Sequence, residues 1–213
     1  MNASRGKFIS LEGGEGAGKS TLLAGLRDYL EQHGIELVQT REPGGTLLGE
    51  AVRGIVLDPV QRAMAAETEL LLMFASRAQL VREVIEPALR AGRWVLCDRF
   101  ADASYAYQGG GRGQPLQRIA ELEHWACDGT TPDLTLLLDV PVAVGRARAS
   151  DRGHADRIEI ESDMFFERVR TSYRERAAAE PARFRVIDAS QPPADVAIAA
   201  TRALATLIEE ARA

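Results

Sequence analysis

Near the N-terminus the residues Gly13-Gly14-Glu15-Gly16-Ala17-Gly18-Lys19-Ser20 fit the spacing GxxxxGKS/T. Glycines at this density let a loop curl until several backbone N–H groups point at one anion, and a following helix adds the partial positive charge of its N-terminus. In such a loop Lys19 reaches the β- and γ-phosphates of a nucleoside triphosphate, and the Ser20 hydroxyl, followed by Thr21, is placed to ligate a magnesium ion. The chemistry is phosphate binding and phosphoryl transfer. A Gly-rich turn that matches by chance is the alternative, and it is disfavoured because an apolar run precedes the motif and a helical pattern follows it.

Three further groups bear on that chemistry. Asp98 and Arg99 follow the apolar run Trp94–Cys97, at the carboxyl edge of a sheet where ligands of open α/β folds collect. Asp98 suits the orientation of magnesium or its waters and Arg99 an anionic second substrate; a surface ion pair is the alternative. Arg146, Arg148, Arg152 and Arg157 crowd a stretch that also holds Gly153. A hinged lid that brings a guanidinium to the charge on the transferred oxygens is favoured there over a solvated helix face. Phe74 and Arg77 lie three residues apart in a helical pattern and so share a face. That pair suits a base stacked on the ring with its polar edge on the guanidinium, although on so apolar a helix Phe74 by itself is more often core than ligand contact.

Positioning these groups requires short apolar strands alternating with helical segments, the pattern of a parallel sheet covered on both faces. Strands are predicted at Phe8–Leu11, Ile35–Gln39, Trp94–Cys97, Leu134–Leu138 and Phe184–Ile187. Helices are predicted at Ser20–Gln32, Ala63–Arg90 with a late break or bend at Pro87, Pro115–Cys127, Val142–Ala149, Glu161–Ala179 and Asp195–Ala211. Arg41–Gly49 and Ser150–Asp156, rich in Gly, Pro, Asp and Arg, are the expected mobile loops. One domain with inserted lobes is expected, with an acceptor region at about 41–113 and a lid at about 146–158.

The chain has 213 residues, 46% apolar and 27% charged, with a net charge of -5. That length is enough for one domain with a good core. A mildly acidic balance with no basic block argues against nucleic acid or an anionic membrane as partner. The apolar runs are too short to cross a bilayer, and no secretory core is present, so a cytoplasmic address is expected. Cys97 and Cys127 are expected to be core filler. His33 is expected at a helix end and His124 and His154 at the surface, none of them beside a Ser or Cys nucleophile.

Thr40-Arg41-Glu42-Pro43-Gly44-Gly45-Thr46, Asp98-Arg99-Phe100 and Ala106-Tyr107-Gln108-Gly109-Gly110-Gly111-Arg112-Gly113 join the phosphate loop in a fixed order. Together they make the chain resemble the bacterial thymidylate kinase family from about residue 7 to residue 190. The resemblance implies a P-loop three-layer fold, a five-stranded parallel sheet flanked by helices with a small Arg-rich lid. It implies transfer of the γ-phosphoryl group of ATP to thymidine 5'-monophosphate (dTMP) with magnesium, and a homodimer. Residues Gly13 to Thr21 are then the ATP loop, and Glu15 the acid facing the deoxyribose and acceptor. Arg53 and Arg99 fall on the monophosphate, Phe74 on the thymine face, Arg77 on its oxygen edge, Ser104 and Gln108 on thymine, and Tyr107 against a ribose 2'-hydroxyl. Pro43 belongs to the acceptor segment. Gly16 stands where some members place a catalytic arginine, and Arg148 and Arg152 resemble the lid arginines that supply the charge instead. The implied catalytic set is Lys19, Arg99, Arg148, Arg152, Glu15 and Asp98.

The acceptor phosphate, with a second pKa near ~6, is mostly dianionic at neutral pH and needs no general base. The rival readings are a kinase for another monophosphate and, less favoured, a nucleotide-dependent switch protein, for which no Asn-Lys-x-Asp tetrapeptide is present.

Overall fold

The computed structural model describes residues 5–150 and 156–212. Its strands are β1 (Phe8–Gly13), β2 (Leu37–Arg41), β3 (Trp94–Asp98), β4 (Leu134–Asp139) and β5 (Phe184–Asp188). All pair in parallel in the order β2-β3-β1-β4-β5. The helices are α1 (Lys19–Gln32), α2 (Leu47–Leu57), α3 (Ala66–Leu80), α4 (Glu86–Arg90), α5 (Ala101–Ser104), α6 (Leu116–Cys127), α7 (Val142–Ser150), α8 (Asp163–Ala179) and α9 (Pro193–Arg212). Wide π-helical turns at Val81–Ile85 and Tyr105–Gly111 join α3 to α4 and extend α5.

Successive strand residues face opposite sides of a sheet, and each face finds its own layer. Ile9 and Leu11 of β1 and Leu134, Leu136 and Leu138 of β4 share a core with Leu22, Leu26 and Leu30 of α1 and Leu204 and Leu207 of α9. On the other face Phe8, Val95 and Cys97 meet Leu80, Ile85 and Phe100, and Leu137 meets Phe165, Phe166 and Val169 of α8. Cys97 and Cys127 are free thiols buried in this second layer, as their composition suggested.

Local chemistry explains where the elements depart from the sequence pattern. β2 begins two residues later than expected because Gly34, at φ 74°, turns the end of α1, with its N–H on Glu31 O at 3.0 Å and that of Ile35 on Leu30 O at 3.1 Å. That is a Schellman closure, and its apolar residue Ile35 packs back onto the α1 core. The 63–90 segment starts at Ala66 and stays helical through Pro87, which sits in the first turn of α4 just after the wide turn at Val81–Ile85. Opening that turn accommodates a ring that lacks an N–H and would otherwise meet the carbonyl four residues back. The region Arg41–Gly49 is not a long loop: Thr46 caps α2, its hydroxyl accepting from Gly49 N–H at 2.9 Å, and Glu50 accepts from Gly45 N–H at 2.9 Å and from Arg41 at 2.8 Å. The Glu42–Pro43 peptide in this turn is cis. Residues 151–155 of the expected second loop lie outside the described residues.

From β1 the sheet grows to β3 and β2 on one side and to β4 and β5 on the other. A cleft therefore opens at the carboxyl end of β1, where connections leave in opposite directions. Register pairs Leu11 with Asp98 and Asp98 with Arg41, and places Gly13 beside Leu138, so the residues of chemical interest gather at that one edge.

Candidate active site

Gly13–Ser20 forms the turn from β1 into α1. Gly18 precedes the helix at φ 90° with no side chain to cap it, which leaves the first amides of α1 available to an anion. Gly16 sits at φ 67°, and a Cβ there would lie 1.9 Å from the carbonyl oxygen of Gly145 in α7. The converse holds too, since a Cβ on Gly145 would lie 2.3 Å from the carbonyl oxygen of Glu15. The loop and α7 thus touch backbone to backbone. Lys19 is buried, and its Nζ donates to Gly13 O and Gly14 O, both at 3.1 Å. Burial, reinforced by the nearby Arg99 charge, lowers its pKa to about 8.

Arg99 follows β3 in the left-handed region, at φ 71°, a conformation that a residue with a Cβ keeps only when its surroundings fix it. Its backbone N–H donates to Leu11 O at 3.0 Å. Nη1 donates to Gly13 O at 2.9 Å and to Tyr173 Oη at 3.1 Å, and Nη2 to Glu15 Oε1 and Tyr107 Oη, both at 3.0 Å. The Tyr107 hydroxyl in turn donates to Glu15 Oε1 at 3.2 Å. Desolvation opposes the charged guanidinium here, but the surrounding hydroxyls and carboxylates hold its pKa well above the usual value. Arg99 therefore remains a fixed cation, built into the loop and open to the cleft.

The cleft measures about 950 Å³ and runs continuously from Arg53, Met73 and Gln108 past Arg99 and Lys19 to Ala189, Val196 and Thr201 between α1 and α9. Glu15, Gly16, Ala17, Gly18, Ser20, Thr21, Pro43, Asp98, Tyr107 and Arg148 line it as well. The sequence therefore brings the phosphate loop and most of the expected acceptor residues into one space. Phe74, Arg77 and Ser104 lie in a buried layer and are not among the lining residues. Arg77 is fully buried, donating to Glu42 Oε2 at 2.7 Å, Ser104 Oγ at 3.0 Å and Phe100 O at 3.1 Å, with its guanidinium 4.5 Å from the Phe74 ring centroid. Burial raises the Glu42 pKa while Arg77 pulls it back. Arg53 enters from α2, its Nη1 donating to Pro43 O at 3.1 Å.

The arginine cluster divides. Arg148 lines the cleft from α7 and donates to Ala189 O at 2.8 Å, just beyond β5. Arg146 joins α7 to the start of α8 through Asp163 at 2.8 Å and Glu161 O at 2.9 Å, with Phe166 beneath it. Arg157 is buried, donating to Val56 O at 2.6 Å and pairing with Glu69 of α3, so it anchors the segment and does not reach the cleft. Arg152 and His154 lie outside the described residues. His33 closes α1 and His124 is exposed, as expected.

A metal ion fits the donors present. Asp98 Oδ1 is buried and, among the described residues, has no hydrogen-bond partner, and it shares the cleft with the exposed Ser20. Hard oxygen donors of this kind, beside phosphates, suit magnesium. Among the described residues no group of three or more His, Cys, Asp or Glu forms a metal cage, and no helix is long and apolar enough to cross a membrane.

Sequence patterning missed Glu12, Tyr173, Glu69 and Gly145. Glu12 carried a usable signal, an acid at the end of an apolar strand directly before a phosphate loop. Tyr173 stands four residues after Val169 on the apolar face of α8 and reads as ordinary core.

A sequence model of the family described as Thymidylate kinase matches residues 11–199. The thymidylate kinase of Pseudomonas fluorescens (strain SBW25) is 56% identical over 97% of this chain and 99% of its own length. Those of Alkalilimnicola ehrlichii and Halorhodospira halophila are 54% and 55% identical, over 96% and 91% of this chain and 95% and 91% of their own. A phosphate loop, a strand-end arginine seated beside it and one cleft joining them are thus set in a chain that matches the family along almost its whole length, and the protein belongs to the thymidylate kinase family.

Proposed function

We infer that the protein transfers the γ-phosphoryl group of ATP to dTMP, giving dTDP and ADP. The observation that carries this reading is the single cleft in which Lys19 of the phosphate loop and Arg99 and Arg53 of the acceptor end face a common space. An acceptor phosphate oxygen forms a bond to the γ-phosphorus as the bond to the β-phosphate oxygen breaks, and ADP leaves. Both reactants are anions, so the chain's contribution is placement and charge. Lys19 and the amides of Gly13–Thr21 hold the donor, and Arg53 and Arg99 hold the acceptor. Glu15 fixes Arg99 and faces the sugar, while Arg148 and Arg152 supply lid charge. Ser20 and Asp98 would hold magnesium, which when bound neutralises phosphate charge.

The base of dTMP occupies the end near Pro43, Tyr107 and Gln108, with Phe74, Arg77 and Ser104 as the layer that shapes it. The adenine end lies between α1 and α9. The region at about 41–113 then serves the acceptor and that at about 146–158 acts as the lid of one kinase domain. Exposed Leu71 on α3 and Leu116 and Trp125 on α6, helices that pack together, supply an apolar surface for a homodimer, which sedimentation at micromolar concentration would reveal. A cytoplasmic location completes the reading.

The test is ADP release with magnesium and ATP on adding dTMP, dUMP, dCMP, dGMP, UMP and AMP singly. Release strongest with dTMP, weaker with dUMP and near background with UMP is expected, because a pocket discriminates one methyl group by only about 1 to 3 kcal/mol. No stimulation by any acceptor, with ATP still bound, would remove the kinase reading and leave a nucleotide switch.

Lys19 adds a pH signature. Its pKa is about 8 without phosphate, and a bound polyphosphate favours the ammonium, raising that value. Below pH 8 the lysine is already charged and ATP affinity is flat. Above it, binding must take up a proton, and affinity falls by up to about tenfold per pH unit until the bound-state pKa is reached. Calorimetric titration with ATP between pH 7 and 9.5, in buffers of different ionisation enthalpy, reads both the slope and the proton; a flat affinity with no proton uptake contradicts it.

A further inference from the structure

We propose that Glu12 and Tyr173 form a buried relay that orients Arg99 toward the acceptor phosphate, which makes both of them positioning residues for the transfer. The proposal rests on the reading of Arg99 as the acceptor-phosphate arginine.

Glu12 is the penultimate residue of β1, fully buried on the face that meets α8. One carboxyl oxygen, Oε1, accepts from Phe100 N–H at 2.7 Å, and the other, Oε2, accepts from the Tyr173 hydroxyl at 2.6 Å. A tyrosine hydroxyl has one proton to give. A guanidinium can only donate, so the Tyr173 oxygen accepts from Arg99 Nη1 at 3.1 Å. The hydroxyl thereby joins the guanidinium to the Glu12 carboxyl in one chain of contacts.

The partners of Arg99 divide by position. Glu15 and Tyr107 line the cleft, where an entering nucleotide meets them. Tyr173 is buried and not among the lining residues, so with Gly13 O it holds the guanidinium from behind. Such a backing is what a residue in left-handed backbone needs in order to keep one side-chain orientation while its cleft-side bonds are exchanged. The arrangement carries a cost: burial, with Asp102 acting in the same direction, raises the Glu12 pKa to about 8, while Arg99 and the two hydrogen bonds offset part of it. A carboxyl kept at this depth and joined to Arg99 through the Tyr173 hydroxyl has the geometry of a support.

The experiment is calorimetric binding of dTMP and of thymidine, which lacks the phosphate, to the wild-type protein, Tyr173→Phe, Glu12→Gln and the double variant. Wild type is expected to prefer dTMP. Tyr173→Phe should shrink that preference about tenfold, the scale of one hydrogen bond to a charged group, with thymidine affinity unchanged. Turnover should fall in parallel while the KM for ATP holds. Glu12→Gln should act in the same sense, and the double variant should lose no more than the larger single loss, because the two act through one contact. Should Glu12→Gln fail to fold, Tyr173→Phe alone decides. An unchanged preference, or equal losses for dTMP and thymidine, overturns the relay. A wild-type protein with no preference for dTMP removes the phosphate role of Arg99 itself, and the relay with it.

Discussion

Replacing Arg99 with alanine is expected to lower kcat/KM for dTMP by about 10³-fold, the scale on which fixed cations act in phosphoryl transfer. The guanidinium makes four side-chain hydrogen bonds, to Gly13 O, Tyr173, Glu15 and Tyr107. Truncation removes a cation from between two anionic reactants and also strips Glu15 of a positive partner at the mouth of the phosphate loop. The acceptor then meets an added negative charge where it had met a positive one. Arg99→Lys should recover little, because a point charge with three donors cannot reproduce a planar fork that spans both sides of the loop. The KM for ATP should stay near its wild-type value, since Lys19 and the loop amides hold the donor. Steady-state kinetics with each substrate varied separates the effects, and a loss below about tenfold would refute the assignment.

Gly16→Ala should reduce kcat/KM for ATP on the order of 10²-fold, the penalty for a displacement of about 1 Å at reacting groups. The added Cβ would fall 1.9 Å from Gly145 O, in backbone already at φ 67°, so the loop or α7 has to move. Gly145→Ala approaches the same contact from the other side, 2.3 Å from Glu15 O, and should give a loss of the same order although it lies in a helix remote in sequence. Any larger side chain at position 16 is incompatible with this packing for the same reason. Nucleotide titration and turnover on both variants check the expectation, and full activity in Gly16→Ala would refute the rigid contact.

The phosphate loop, the five strands and the pair Asp98-Arg99 were legible because each is written in local pattern: glycine spacing, apolar runs and polar residues at a strand end. α2 was not, since Arg41–Gly49 carries the composition of a loop while its real signal was Thr46 as a cap followed by Val52 and Val56 at helical spacing. The Gly109-Gly110-Gly111 run lies in a wide helical turn so that α8 can approach; a Cβ on Gly110 would meet Arg168 O at 2.8 Å and one on Gly111 the Phe165 ring at 2.5 Å. α3 shows the deeper difficulty. Glu69, Ser76 and Arg77 are as buried as Leu70, so a rule that reads polarity as exposure cannot find the face that matters. Buried polar groups become intelligible only with their partners, and those come from elsewhere in the chain: Gln108, Arg112 and Arg157 for Glu69, and Glu42 and Ser104 for Arg77.

Arg146 and Arg157 stand at the two ends of the chain that leaves α7 and returns to α8, and each is riveted to the body, the first to Asp163 and Glu161 and the second to Val56 and Glu69. Both anchors are made by residues outside 151–155, so substitutions there leave the two anchors in place. Closing a loop costs only about 0.6 kcal/mol more for each doubling of its length, so segments of different length and sequence can be exchanged between those anchors without redesigning the sheet. Chimaeras that exchange the stretch between them and keep both arginines and their partners should fold where those that lose either arginine or its partners do not.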